Sequence, residues 1–235
     1  MMEILFEDNE IIAIRKEAGI AVETKRFAEE DMVLLLKNYF FETKEQAFDN
    51  PAAEPEHLKE PYVGVVHRLD QPVEGIVVFA KTQKAAAFLS RQIQTGEMKK
   101  YYLAVTQGII QKKSGTCTDY LKSDQKTNLT RIVAKGEKNA KKAVLRYDVL
   151  KTEGDKSLVQ IELITGRHHQ IRAQMSHMGH PLWNDVRYGF QGERTGREIA
   201  LCAYRLSFKA PSGEQINLEI SPRGEAFSIA PNARR

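Results

Sequence analysis

One stretch constrains this chain more than any other: His67-Arg68-Leu69-Asp70-Gln71-Pro72-Val73-Glu74-Gly75-Ile76-Val77-Val78-Phe79-Ala80-Lys81-Thr82. A charged cluster stands directly before a glycine and an unbroken apolar run. An apolar run of this length, rich in Val and Ile, reads as a buried strand. Asp70 is therefore set at the mouth of a buried sheet, among cations, just before a Pro-Gly-containing turn. A charge so near a core must be paired or change its protonation, so stability alone is a poor reason to keep it there.

The remaining pattern predicts the elements around that strand. Ile4 to Arg15 alternates about an Asp-Asn turn and reads as a β-hairpin. Residues 29–41 read as a helix with Met32, Leu35, Leu36 and Tyr39 on one face, and the polar segment 42–61 as a loop. After a strand at 75–81, Thr82 is placed to cap a helix that turns Ala85, Phe88, Leu89 and Ile93 inward and ends at Gly96. Further strands are expected at 100–106, 143–150, 157–164, 200–208 and 215–220, with turns at Gly154-Asp155 and Pro211-Gly213. Strands joined mostly by hairpins, with few helices, predict an α+β fold with a mixed, mainly antiparallel sheet and flanking helices. The 235 residues suit a single domain spanning 1–235.

Composition narrows the setting. Hydrophobic residues are 42% and charged residues 28%, as in ordinary globular proteins. No apolar run approaches the roughly 20 residues of a membrane helix. The start of the chain has no basic region before an apolar one, so a signal peptide is not expected. The two cysteines, Cys117 and Cys202, fit reduced thiols in a cytoplasmic protein. The net charge of +4 is mild, but Lys122, Lys126, Arg131, Lys135, Lys138, Lys141, Lys142 and Arg146 crowd one stretch against only Asp124 and Glu137. Such a run is either a solvated face or a surface that tracks phosphates.

Four further blocks accompany the central one. Thr165-Gly166-Arg167-His168-His169-Gln170-Ile171-Arg172 leads into His177-Met178-Gly179-His180-Pro181. The spacing of Ile171, Met175 and Met178 is helical and predicts a helix starting near Arg167, and Gly179 marks a stop. Lys99-Lys100-Tyr101-Tyr102-Leu103-Ala104 is a strand pattern. The opening hairpin runs into Lys16-Glu17-Ala18-Gly19, and Leu201-Cys202-Ala203-Tyr204-Arg205-Leu206 lies near the end. In this order the blocks resemble the RluA-type pseudouridine synthases, whose patterns read H-R-L-D-x-x-T-S-G with A-K beyond it, T-G-R-x-H-Q-I-R, H-x-x-x-G-H-P, K-x-Y-x-A, K-P-x-G and L-H-A-x-R-L. The departures are Val73 and Glu74 for Thr-Ser, Glu17 for Pro and Cys202 for His. With the hairpin beginning at Ile4, no S4-type RNA-binding domain is expected before the catalytic part.

The resemblance implies an isomerase acting on uridine in ribosomal or transfer RNA, with a central RNA-binding cleft. It implies Asp70 as the catalytic residue, Tyr102 as the aromatic partner that stacks on the flipped base, and Arg172 as the ion-pair partner of Asp70. It also implies RNA-facing roles for His67, Arg68, Lys100, Arg167, His169 and Gln170. The chemistry breaks the N1–C1′ bond, turns the base and joins C5 to C1′, so no metal and no cofactor are expected. One ionised carboxylate serves, either by adding to the sugar or by taking a proton from it, and a nearby arginine keeps such a carboxylate ionised and oriented. His177-x-x-His180 has metal-ligand spacing but no accompanying Cys or acidic cluster. RNA is the expected partner, without membrane or metal, and a monomer is expected. The alternative is a catalytically silent RNA-binding protein, such as a ribosome-assembly factor, that keeps the fold. On either reading Glu74 should face away from Asp70, toward solvent or a neighbouring cation, because two touching carboxylates oppose each other's ionisation. Replacing it with the smaller Ser should then be harmless.

Overall fold

A computed structural model describes residues 2–26, 29–46, 60–196 and 198–229. Its strands are β1 (Glu3–Glu7), β2 (Ile11–Lys16), β3 (Gly64–Val65), β4 (Glu74–Ala80), β5 (Lys99–Gln107), β6 (Ser114–Asp124), β7 (Leu129–Val133), β8 (Lys141–Glu153), β9 (Lys156–Leu163), β10 (Leu201–Lys209) and β11 (Gln215–Glu219). The helices are α1 (Met32–Gln46), α2 (Gln83–Thr95) and α3 (Gln170–His177), with short 3-10 turns at Val186–Tyr188 and Glu225–Ile229. The strands form one sheet in the order β1-β2-β4-β10-β5-β9-β8-β6-β7, with β3 paired to β4 and β11 to β10. Every pairing is antiparallel except β4 with β10, so the sheet is mixed and mainly antiparallel as expected.

The parallel seam explains the glycine of the central motif. Cys202 pairs with Glu74 and Ala203 with Gly75. Gly75 has φ +142, and a Cβ there would lie 2.5 Å from both the Cβ and the backbone nitrogen of Ala203. Only glycine lets the two strands approach this closely. The seam therefore sits immediately after the turn that carries Asp70.

Strand alternation divides the core between two faces. Ile12, Ile14, Val77, Phe79, Tyr102, Val159 and Ile161 pack with Leu36 and Phe40 of α1, Ile171 and Met175 of α3, and Leu69. Ile11, Ala13, Ile76, Val78, Val105 and Phe208 pack on the other side with Ala85 and Leu89 of α2 and with Phe227. The neighbours of Asp70 and Arg172 in sequence thus anchor on the same face as Tyr102.

Thr82 caps α2, accepting from the Ala85 N–H at 3.1 Å, and left-handed Gly96 ends it. Four expectations change. α1 begins at Met32, after Asp31 caps it by accepting from the Leu34 N–H at 2.8 Å, and runs on to Gln46. Phe88 is 37% exposed rather than inward. Residues 114–133, not expected to be strands, form β6 and β7, whose polar outer faces hide the alternation while backbone pairing to β8 holds them. Finally, α3 begins at Gln170, not near Arg167. Of the loop expected at 42–61, residues 47–59 lie outside the described residues.

Candidate active site

Asp70 occupies a tight turn that delivers the chain into β4. The Val73 N–H closes the turn on the Asp70 carbonyl at 3.0 Å, and Leu69 is buried in the core beside it. The next carbonyl, of Gln71, accepts from the Gly19 N–H at 2.7 Å and from Lys16 Nζ at 3.2 Å. Lys16 is completely buried, and its ammonium also donates to the carbonyls of Glu17 and Ile20 at 2.9 and 2.8 Å. Burial lowers its pKa to about 8, with the carboxylates of Asp70, Glu17 and Glu74 opposing the drop. An ammonium with three carbonyl acceptors fastens the turn from below. The Asp70 side chain itself is 25% exposed, so it is held yet reachable.

Arg172 reaches it from the first turn of α3. Nη1 donates to Asp70 Oδ2 at 3.0 Å, while Nε and Nη2 donate to the two oxygens of Asp185 at 2.7 and 2.8 Å. Arg172 and Asp185 are both buried, and the guanidinium lies over the Tyr188 ring at 4.8 Å. Burial pulls the Arg172 pKa down, but hydrogen bonding and charge from Asp185, together with Asp70, outweigh it and hold the group protonated. The fork is thus clamped at one end by Asp185 and offers its other edge to Asp70. Neither Asp185 nor Tyr188 was among the expected site residues.

Tyr102, on β5, is buried on the Asp70 face of the sheet. Its pKa is pushed well up, mainly by burial and then by the nearby Asp70 charge and Cys202. The phenol is therefore protonated at neutral pH, which suits a stacking ring better than a proton acceptor. His169 brings Nε2 to 3.4 Å from Asp70 Oδ2. Asp70, Tyr102, Arg172 and His169 thus converge.

The other expected residues divide. His67 accepts the Val78 N–H on Nε2 at 3.1 Å, and desolvation plus the Lys100 charge lower its pKa to about 3, so its ring is committed to holding β4. Gln170 is buried, accepts from Thr165 Oγ1 and the Arg167 N–H at 2.8 and 3.1 Å, and donates to the Val144 carbonyl at 3.1 Å. Nε2 of His67 and the Gln170 amide are thus engaged within the protein. Arg167 is exposed, with Nε on the Lys142 carbonyl at 3.0 Å. Arg68 is exposed, and its charge reaches His168. Lys100 is partly buried on the strand that carries Tyr102, and burial lowers its pKa.

Glu74 does face away from Asp70, but toward the interior. Its side chain is 8% exposed and meets the 5% exposed Arg15 at 3.1 Å. Its other oxygen accepts the Arg223 N–H at 2.8 Å. This pair ties β2 and β4 to the segment after β11, so Glu74→Ser is not the harmless change that its place in the motif suggests. Serine would leave a buried guanidinium whose Nε makes no hydrogen bond and whose remaining carboxylate neighbour, the half-exposed Glu17, lies 4.0 Å away. Glu74→Ser is expected to lose about 3–5 kcal/mol of stability, read as a lower urea midpoint, with turnover per folded molecule unchanged. An unchanged midpoint would show that water replaces the lost carboxylate.

The family model for RNA pseudouridylate synthase matches residues 10–177. The chain is 31% identical to the uncharacterized RNA pseudouridine synthase YhcT of Bacillus subtilis, over 94% of this chain and 68% of that protein. It is 30% identical to the uncharacterized RNA pseudouridine synthase MG209 homolog of Mycoplasma pneumoniae, over 90% and 63%. It is 34% identical to ribosomal large subunit pseudouridine synthase D of Neisseria meningitidis serogroup B, over 93% and 57%. The chain thus spans less than two thirds of the length of two of these relatives. In fold it is similar to human RNA pseudouridylate synthase domain containing 1, at a TM-score of 0.73, 20% identity and coverage of 94% of this chain and 84% of that one. It is likewise similar to human RNA pseudouridylate synthase domain containing 4, at 0.71, 22%, 94% and 89%. Sequence match and fold agree with the motif blocks, and the chain belongs to the RNA pseudouridylate synthase family.

Proposed function

We propose that this chain is an RNA pseudouridine synthase that isomerises uridine in ribosomal or transfer RNA through Asp70, as one catalytic domain spanning 1–235. The observation that carries this reading is the Asp70 carboxylate, accessible to solvent yet gripped by a buried arginine that a second buried carboxylate holds in place. A carboxylate held by a buried arginine, beside a buried tyrosine that keeps its proton, is the equipment the rearrangement requires. During the reaction the N1–C1′ bond breaks, C5 bonds to C1′, the C5 proton leaves and N1 gains a proton. Tyr102 would stack on the displaced base. The name of the Neisseria relative favours large-subunit ribosomal RNA as the substrate. Glu74 gives little support to a silenced relative, since it is turned away from the carboxylate it would have to disturb.

The test is chemical. Pseudouridine mapping by mass in total RNA from cells with and without the gene should reveal at least one uridine modified only when the protein is present. An identical map in both would favour the silent RNA-binding reading.

The RNA surface proposed for this site lies along β6–β8. Lys122 and Arg131 share Glu137, at 2.8 and 3.9 Å. Lys138, Lys141 and Lys142 are exposed and make no ion pair among the described residues. Neutralising these three is expected to flatten the salt dependence of RNA affinity. The log–log slope should fall by about 0.7–0.9 for each phosphate that no longer meets a lysine. A slope equal to wild type would mark the stretch as a solvated face.

A further inference from the structure

His169 is placed with unusual care. It stands just before α3 with φ +48, the left-handed region that costs a side-chain-bearing residue about 1–2 kcal/mol. That backbone turns its ring inward, where it is buried, with one nitrogen toward Asp70 and the other toward Tyr188. His168 stacks on it at 3.7 Å between ring centres and is itself held by Thr130 Oγ1 at 2.8 Å from Nδ1.

Counting protons favours one tautomer. The Tyr188 hydroxyl oxygen accepts the Thr130 N–H at 2.8 Å and lies 2.9 Å from His169 Nδ1. A phenol has one proton to give. If it goes to Nδ1, the ring is the neutral tautomer with its hydrogen on Nε2, the nitrogen that lies 3.4 Å from Asp70 Oδ2. If Nδ1 instead carried the hydrogen, the phenol proton would need another acceptor, and none is present among the described residues. The bare Nε2 lone pair would then also confront a carboxylate. Both ends favour the first arrangement. The state is a neutral ring, since desolvation and the charge of Arg172 lower the pKa of His169 to about 3, and burial raises that of Tyr188 so that the phenol keeps its proton.

We propose that Tyr188 and His169 form a positioning relay that presents an Nε2–H to Asp70 as a second donor beside Arg172, and that Thr130 anchors this relay to the β6–β7 hairpin. It rests on Asp70 being the reacting carboxylate. Arg172 alone, touching one oxygen, leaves the carboxylate free to swing about that contact. A second N–H converging on the same oxygen from another direction restricts the swing. Because Thr130 belongs to the hairpin that borders the cationic stretch, the hairpin that would grip RNA also sets the orientation of the carboxylate.

Nitrogen-15 NMR of the free protein with labelled histidine tests this without depending on activity. His169→Gln assigns the signal by deleting it. At neutral pH wild type should show the neutral Nε2–H pattern for His169, and Tyr188→Phe should shift it toward a tautomer mixture. In single-turnover reactions Tyr188→Phe should slow the chemical step by about 10- to 100-fold while RNA affinity holds. His169→Gln, whose amide N–H can reach Asp70, should turn over faster than His169→Leu. An Nδ1–H tautomer or an imidazolium in wild type would overturn the relay, even if Tyr188→Phe proves unable to fold. So would a Tyr188→Phe protein with unchanged rate and unchanged tautomer. An Nε2–H signal in a protein that modifies no RNA would retain the relay and overturn the function proposed above.

Discussion

Asp70→Asn is expected to eliminate isomerisation, by about 10⁴-fold or more, while the protein folds and binds RNA almost as before. The amide keeps the shape of the carboxylate but has neither the charge nor the lone-pair basicity to attack the sugar or remove its proton. The fold should tolerate the change because the strong bonds of Arg172 are to Asp185, not to Asp70. Lys16 and Gly19 also hold the turn through the backbone carbonyl of Gln71, which the substitution leaves in place. Tritium release from RNA labelled at uridine C5 measures the loss, and filter binding measures affinity. Activity within a few-fold of wild type would remove Asp70 from the reaction.

Arg172→Ala should fail in two separable ways. Turnover should drop by orders of magnitude as Asp70 loses its charged partner. Stability should fall by about 3–5 kcal/mol, because Asp185 would be left buried without a countercharge. A double variant distinguishes the two losses. Arg172→Met combined with Asp185→Leu replaces the buried pair with apolar volume, an exchange that often restores stability. Its urea midpoint should return toward wild type while tritium release stays abolished. Recovery of activity along with stability would mean that the arginine acts only as a structural pin.

What the sequence revealed follows from where the chemistry is written in contiguous residues. The Asp70 turn, the Tyr102 strand and the start of α3 each carry their signal within a few positions, because one turn or one strand positions the functional group. Asp185 and Tyr188 were invisible for the opposite reason. Their roles exist only through Arg172, His169 and Thr130, which the fold brings to them from other segments. A lone acid before a short turn gives no hint of such partners. His67 and Gln170 carry a second use that the motif does not announce. They stand inside the motif, yet Nε2 of His67 and the Gln170 amide bond the Val78, Arg167 and Val144 backbone and Thr165. β6 and β7 escaped because a polar strand covered on only part of one face resembles a loop in its composition. The orientation of Glu74, away from Asp70 and toward a neighbouring cation, was foreseen, but not its burial. That Arg15, from the first hairpin, would receive it required the three-dimensional neighbourhood.

The parallel seam between β4 and β10 has a consequence for how the protein is made. It joins segments separated by more than half of the chain, at the step that follows the Asp70 turn. During synthesis, β1, β2, β3 and β4 can pair early, but beyond Phe79 and Ala80, which β3 covers, the far side of β4 stays an open edge until β10 leaves the ribosome. Until then Gly75 faces no strand, and the turn before it lacks the bond from the Ile199 N–H to the Pro72 carbonyl. Between the synthesis of β4 and that of β10, the nascent chain therefore carries a partly open central edge and an unfinished Asp70 turn. The Asp70 turn is completed only when β10 and the residues just before it dock against β4.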